Sequence, residues 1–263
     1  MLPRITTLLH GLLDLLFPQK ASVRELLRMD PFDLASRAEK PEGRAGKALL
    51  SCFSYRDPLI RQAIWELKYR GNKKVAVLLA TILHDELLAF LEEYAPLTNF
   101  TDPLLIPIPL SKKRERERGF NQCHLLVDEI MRLDSSSISP NKGSTAVFGV
   151  EGCISPNKGS TRVGEGEGCQ SRTVNDPNVG RNFTLSLALT KIKDTPSQTK
   201  AENRESRMKN LENCFRVKNP MLVVGRNIIL IDDVATTGAT LQEARRTLRA
   251  SGARKVIAFT VAH

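Results

Sequence analysis

One stretch limits this chain more than any other: Ile228-Ile229-Leu230-Ile231-Asp232-Asp233-Val234-Ala235-Thr236-Thr237-Gly238-Ala239-Thr240. Four consecutive apolar residues run into two adjacent acids, and a loop of small and hydroxyl-bearing residues follows. The apolar run does not alternate with polar residues, which predicts a strand covered on both faces, as in a parallel sheet. After it, "TLQEARRTLRA" predicts a helix with Leu241, Ala244 and Leu248 on one face, and "RKVIAFTVA" predicts another strand. The three form a βαβ unit, so the two strands should be parallel neighbours joined by a right-handed crossover. Thr240 with Glu243 three residues on predicts a capping box at the start of the helix.

Ligands of such sheets bind outside the carboxyl ends of the strands, where Asp232 and Asp233 fall. Two neighbouring carboxylates repel each other unless they meet hydroxyl groups or a ligand-borne metal. Gly238 lets the backbone turn sharply and approach a ligand closely. The helix that follows offers unpaired amides and a partial positive charge, which suit a phosphate monoester. Acids for vicinal sugar hydroxyls beside amides for a phosphate describe a site for a ribose 5-phosphate group. The bland alternative is a strand end whose acids cap a turn. A Walker-B strand is a second rival, but no GxxxxGK[ST] accompanies it.

Elsewhere, "ALLSCFSY" predicts a strand. "DPLIRQAIWELKYRG" predicts a helix with Asp57 as N-cap, Pro58 at the first position and Gly71 after the end. A second helix is expected from about Lys73 to Tyr94, a short buried strand in "DPLLIPIPL", and a further helix within Gly119–Leu133. The stretch from Pro18 to about Ala48 is polar and poorly patterned. Leucines at positions 8, 9, 12, 13, 15 and 16 predict an amphipathic N-terminal helix docked on a core. It is too short to span a bilayer and lacks a cleavage site, so neither a membrane span nor a signal peptide is expected. From about residue 134 to 182 the pattern collapses into Ser, Gly and Asn, with "ISPNKGST" at Ile138–Thr145 repeated at Ile154–Thr161. That composition predicts a disordered insertion rather than a solenoid. The string "GEGEGC" lacks the spacing of a dinucleotide-binding loop. Strands and a short helix are expected on either side of a basic polar loop between residues 183 and 217.

The net charge of +10 favours an anionic partner, a phosphorylated small molecule or nucleic acid. The five cysteines are scattered and form no CxxC pair, against a disulfide framework or a zinc site and in favour of a reducing, cytoplasmic setting. Aromatic content of only 5% argues against a base-stacking platform. His10, His84, His124 and His263 lie far apart in the sequence, and no Ser/His/Asp or Cys/His constellation is evident.

The run Ile228–Thr240 resembles the PRPP (phosphoribosyl pyrophosphate) binding signature of type I phosphoribosyltransferases at every position. Three other blocks resemble the ComF (ComFC-like) family: "LIPIPLSKKRERERGFNQ", "TKIKDTPSQT" with "RMKNLENCF", and "FSYRDPLIRQAIWELKYRG". Together they cover most of the chain outside the insertion. In that family "LLDLLFP" is commonly followed by the paired cysteines of a small zinc-binding module. Gln19 and Lys20 stand there instead, so the module is lost or degenerate and no zinc is expected.

The resemblance implies an α/β fold: a type I phosphoribosyltransferase-like parallel sheet flanked by helices, with an N-terminal helical or hood region. Residues 1–48 would be the remnant of the zinc module. Residues 49–263 would be the phosphoribosyltransferase-like domain, interrupted at about 134–182. It further implies that Asp232 and Asp233 bind the ribose hydroxyls of PRPP and that Val234, Ala235, Thr236, Thr237, Gly238, Ala239 and Thr240 hold its 5-phosphate. A loop containing Ser111, Lys112, Lys113, Arg114 and Arg118, with Arg116 beside them, would hold pyrophosphate. A flexible loop with Lys191, Lys193, Thr195 and Gln198 would close over the sugar. Mg²⁺ would arrive on PRPP, with no metal held by protein atoms alone. The acceptor is unnamed, a hood within the first hundred residues would select it, and the oligomeric state is open, a dimer included. The competing expectation is a non-catalytic DNA-uptake factor that binds single-stranded DNA or competence machinery, or a regulator that senses PRPP.

Overall fold

The structure is a computed structural model that describes residues 21–41, 49–137, 183–193 and 212–263. The apolar runs of the sequence become one parallel sheet. Its strands are β1 (Leu49–Phe53), β2 (Leu104–Pro107), β3 (Thr184–Leu185), β6 (Asn227–Val234) and β7 (Lys255–Ala262), in the order β1-β7-β6-β2-β3. Every pairing is parallel, with Ile231 opposite both Pro107 and Phe259. The central strand, β6, is buried along almost its whole length, which explains its unbroken apolar run. A separate antiparallel hairpin joins β4 (Leu189–Lys191) to β5 (Phe215–Val217).

Alternate residues of β6 feed two cores. Ile229 and Ile231 face a cluster with Phe259, Leu83, Leu87 and Val127. Ile228 and Leu230 face a cluster with Leu241, Ala244 and Leu248. The first side is covered by α4 (Lys73–Thr98) and α6 (Gln122–Ser137), the second by α7 (Ala239–Ala250). The predicted βαβ unit is β6–α7–β7. Helix α4 runs one turn beyond the expected Tyr94 and ends where Asn99 takes a left-handed conformation. It covers the sheet, and β1 lies within the sheet, so of the first hundred residues the part before β1 and the segment 58–70 are left to form a hood.

Two expectations change here. The stretch after Pro18 holds two short helices, α1 (Ala21–Leu26) and α2 (Pro31–Arg37), the second capped by Asp30. Leu26 and Leu34 are fully buried in the first core, so a few well-placed apolar residues outweigh the weak periodicity. Residues 134–137 belong to α6 rather than to the insertion, and the carboxylate of Asp134 accepts from the amide of Phe183 at 3.4 Å. Both ends of the insertion are thus held together, while residues 138–182 lie outside the described residues. The N-terminal leucine helix also lies outside them.

Helix α3 (Pro58–Trp65) starts as expected, with Asp57 accepting from the amides of Leu59 and Ile60. Its last turn, Glu66–Arg70, widens into a π-helix and stops at Gly71, whose φ is +56°. A β-carbon on Gly71 would stand 3.0 Å from the Phe120 ring. Gly71→Ala should therefore lose about 2 kcal/mol, from the left-handed backbone and the crowding together. Gly225→Ala, at φ +70° with nothing within 4 Å, should lose only about 1 kcal/mol. Urea denaturation of the two variants makes the comparison.

Candidate functional site

At the carboxyl end of β6 the chain brings together groups from three separate segments. Asp232 and Asp233 are buried, and their carboxyl oxygens converge with the Cys123 sulfur within 4.8 Å of one another. Asp232 Oδ1 accepts from the amide of Asp233 at 2.9 Å and lies 3.4 Å from the Cys123 thiol. Asp233 meets Lys68 on the π-turn, with Nζ 2.6 Å from Oδ2. Its other oxygen accepts from Gln122 Nε2 at 3.4 Å.

Burial, followed by the neighbouring Asp233, pushes the Asp232 carboxyl up to about 8, so at neutral pH it holds its proton. Burial opposes the charge on Lys68, but the Asp233 carboxylate outweighs it and raises the lysine above its ordinary value. Burial also lifts the Cys123 thiol well above the usual range, which keeps it an un-ionised, weak donor. Asp232 therefore sets a protonated carboxyl beside the Asp233–Lys68 contact at neutral pH.

The "RGFNQ" block is legible once placed. Gly119 ends α5 (Lys112–Arg118) at φ +78°. Phe120 fills the space beside Gly71. Asn121 donates to the Ile108 carbonyl and accepts from the amide of Cys123, so it ties the start of α6 to the end of β2. Gln122 then reaches Asp233 and accepts from Arg118 at 2.8 Å. Lys68, Gln122 and Cys123 were not singled out from the sequence. Lys68 and Gln122 lay within the family-like blocks, whose clustering was the one signal available.

The loop after β6 matches its expected shape but not its expected cap. Gly238 takes φ +71° at the N-cap of α7 with no side-chain cap, and the helix begins at Ala239 rather than Thr240. Glu243 turns away, accepts from the amide of Asn213 at 2.7 Å and pairs with Arg246 at 2.8 Å. The capping box therefore does not form. The helix start keeps amides ahead of its first internal bond, Gln242 N to the Gly238 carbonyl at 2.8 Å. The loop is anchored to β7, because Ala235 N donates to Ala262 and His263 Nδ1 lies 2.7 Å from the Ala235 carbonyl.

The basic stretch after β2 is helix α5, not an open loop. Ser111 is buried and accepts from the amide of Arg114. Lys112, Lys113, Arg114 and Arg118 follow on a helix without buried residues, and Arg116 folds back on the Lys112 carbonyl. In the expected flexible loop, Lys191 is the last residue of β4, held by pairing with Phe215. Lys193 Nζ donates to the Glu212 carbonyl at 3.2 Å. Thr195 and Gln198 lie outside the described residues.

Among the described residues, Cys123, Asp232 and Asp233 form a group whose ligand atoms lie within 4.8 Å of one another. A soft thiol and a lysine 2.6 Å from one carboxylate suit an oxygen-loving cation poorly as a complete cage. They fit Mg²⁺ whose ligands come mainly from a phosphorylated substrate. No described helix is long and apolar enough to cross a membrane.

A parallel sheet with flanking helices and a dyad-and-loop site at the end of its central strand defines the phosphoribosyltransferase fold, and residues 181–263 match the phosphoribosyl transferase domain family. Within that class the chain is similar to ComF-like proteins. It is 30% identical over 212 residues to competence protein ComFC of Bacillus subtilis, covering 80% of this chain and 62% of that protein. It is 26% identical over 209 residues to DNA utilization protein YhgH of Salmonella typhi, covering 79% of this chain and 68% of that protein. The same-named protein of Escherichia coli K12 is 39% identical over 71 residues, 27% of this chain and 30% of that protein. The chain thus spans less than two thirds of the Bacillus relative's length.

Proposed function

We propose that the site binds PRPP and transfers its phosphoribosyl group to a nitrogen nucleophile. The observation that carries this reading is the buried Asp232–Asp233 pair placed directly before the amide-rich start of α7. The acids accept the ribose hydroxyls, and residues 234–240 hold the 5-phosphate. Ser111, Lys112, Lys113, Arg114 and Arg118 hold the pyrophosphate as its charge grows. Lys191, Lys193, Thr195 and Gln198 shield the sugar from water. Mg²⁺ bound to the substrate's oxygens would supply charge neutralisation for the leaving group, with no protein atom holding it alone. The bond from the anomeric carbon to pyrophosphate breaks, a carbon–nitrogen bond forms, and the nucleophile loses its proton. The protein would work in the cytoplasm, where PRPP is made and used.

The test is pyrophosphate release from Mg·PRPP across a panel of bases, amines and nucleotides. Release with one acceptor class, lost in Asp232→Asn/Asp233→Asn, supports transfer. No release with any acceptor, despite PRPP binding, leaves a PRPP sensor.

A second reading draws on the relatives' names, a competence protein and a DNA utilization protein, and on the net charge of +10. In it the chain also binds single-stranded DNA through its basic surface. Affinity for a short oligothymidine should then fall steeply as salt rises, because phosphate contacts release counterions. A flat salt response removes this reading.

A further inference from the structure

The acid of the failed capping box has found another task. Glu243 lies one turn after Ala239 on α7 and is only 7% exposed. Its carboxylate accepts from the amide of Asn213 at 2.7 Å, and Arg246 donates to both of its oxygens at 2.8 Å. Arg246 also donates to the Asn213 side-chain oxygen at 2.8 Å, which closes a ring of contacts. Asn213 holds a left-handed backbone, φ +54°, and follows Glu212, whose carbonyl accepts from Lys193 Nζ at 3.2 Å. Cys214 continues the stretch, its carbonyl accepting from the amide of Ile192 at 2.7 Å. A continuous line of contacts thus runs from Lys193 through Glu212 and Asn213 to Glu243 and α7.

An acid that only balanced an arginine on its own helix would stand in water, and such pairs are worth little. Glu243 is buried and takes a backbone amide from outside its helix, a charge-assisted bond of the strong kind. The hydrogen bonds from Arg246 outweigh burial and hold the carboxyl below its ordinary value, so it is ionised at neutral pH. The β4–β5 hairpin and α7 also share apolar packing, Phe215 and Val217 with Leu241 and Ala244. Apolar packing is non-directional. The Glu243 contacts add the direction that sets the end of the hairpin against the start of the helix. Glu212, Asn213 and Glu243 line one cavity with Ala239, so the clamp stands beside the loop assigned above to the 5-phosphate.

We propose that Glu243 is a positioning residue: through the amide of Asn213 it fixes the Glu212–Cys214 stretch, and with it Lys193, against the helix that receives the 5-phosphate. This role rests on the PRPP reading; the clamp itself can be tested without a ligand.

The experiment compares the full chain with Glu243→Ala, Glu243→Gln and Lys193→Ala, after urea denaturation shows that each folds. Hydrogen exchange without ligand follows the amides of Ile192 and Lys218, which close the two ends of the hairpin, with Ile257 in β7 as reference. Exchange of the hairpin amides should be about tenfold faster in Glu243→Ala, with Ile257 unchanged. Glu243→Gln keeps an oxygen for the Asn213 amide and should restore most of the protection. Mg·PRPP affinity by calorimetry should be about tenfold weaker in Glu243→Ala and in Lys193→Ala. The double variant should lose no more than either, because both substitutions remove one shared arrangement. Should Glu243→Ala fail to fold, Arg246→Ala, at a half-exposed position, makes the same comparison with an expected change of about threefold. Unchanged hairpin exchange overturns the clamp. Faster exchange with unchanged PRPP affinity, or additive losses in the double variant, overturns the positioning role and leaves Glu243 a stabilising residue. A wild type that takes up no Mg·PRPP removes the function proposed above, and hairpin exchange still decides the clamp.

Discussion

Lys68→Met is expected to destabilise the protein by about 3 kcal/mol at neutral pH, the usual loss when one partner of a buried ion pair is removed. Methionine keeps the length and apolar stem of lysine but removes the one cation that, among the described residues, touches the dyad directly, 2.6 Å from Asp233. Asp233 is 3% exposed and cannot turn to water for compensation. Lys68→Arg keeps the charge and should lose much less, although its planar fork fits the one-oxygen contact poorly. Chemical denaturation at constant pH measures both. A loss below about 0.5 kcal/mol for Lys68→Met would place the pair among solvent-screened surface contacts.

Asp232→Asn should change how stability depends on pH. The folded carboxyl titrates near 8, far above the roughly 3.9 of an unfolded aspartate. Between those values the folded state holds a proton that the unfolded state has lost. Stability is therefore greatest at the acid end of this window and falls as pH rises towards 8. Asparagine is neutral throughout and lacks this contribution. From pH 5 to 7.5 the wild type should lose about 1 kcal/mol per pH unit relative to Asp232→Asn, and no more than about 1.4. Parallel curves for the two proteins would mean that Asp232 is ionised in the folded state.

The sheet and the loop were legible in the sequence because each is specified locally. The unbroken run Ile228–Ile231 fixes a strand buried on both faces, and Gly238 fixes the turn. The capping box was misread because Thr240 and Glu243 have the right spacing, while Glu243 finds stronger partners in Asn213 and Arg246. No spacing rule contains that competition. Lys68, Gln122 and Cys123 reach the dyad through packing: Phe120 against Gly71, and Asn121 against the end of β2. Contacts spanning more than a hundred residues leave no periodic trace.

The central claim is that the dyad and loop bind PRPP, and titrating Mg·PRPP into the protein by calorimetry tests it most directly. One saturable site per chain is expected in the wild type. Asp232→Asn/Asp233→Asn, which keeps the shapes and replaces both carboxyls by amides, should bind about a hundredfold more weakly or worse, because the two carboxyls assigned to the ribose hydroxyls are lost. A wild-type protein that takes up no Mg·PRPP, or a double variant that binds it equally well, would contradict the account.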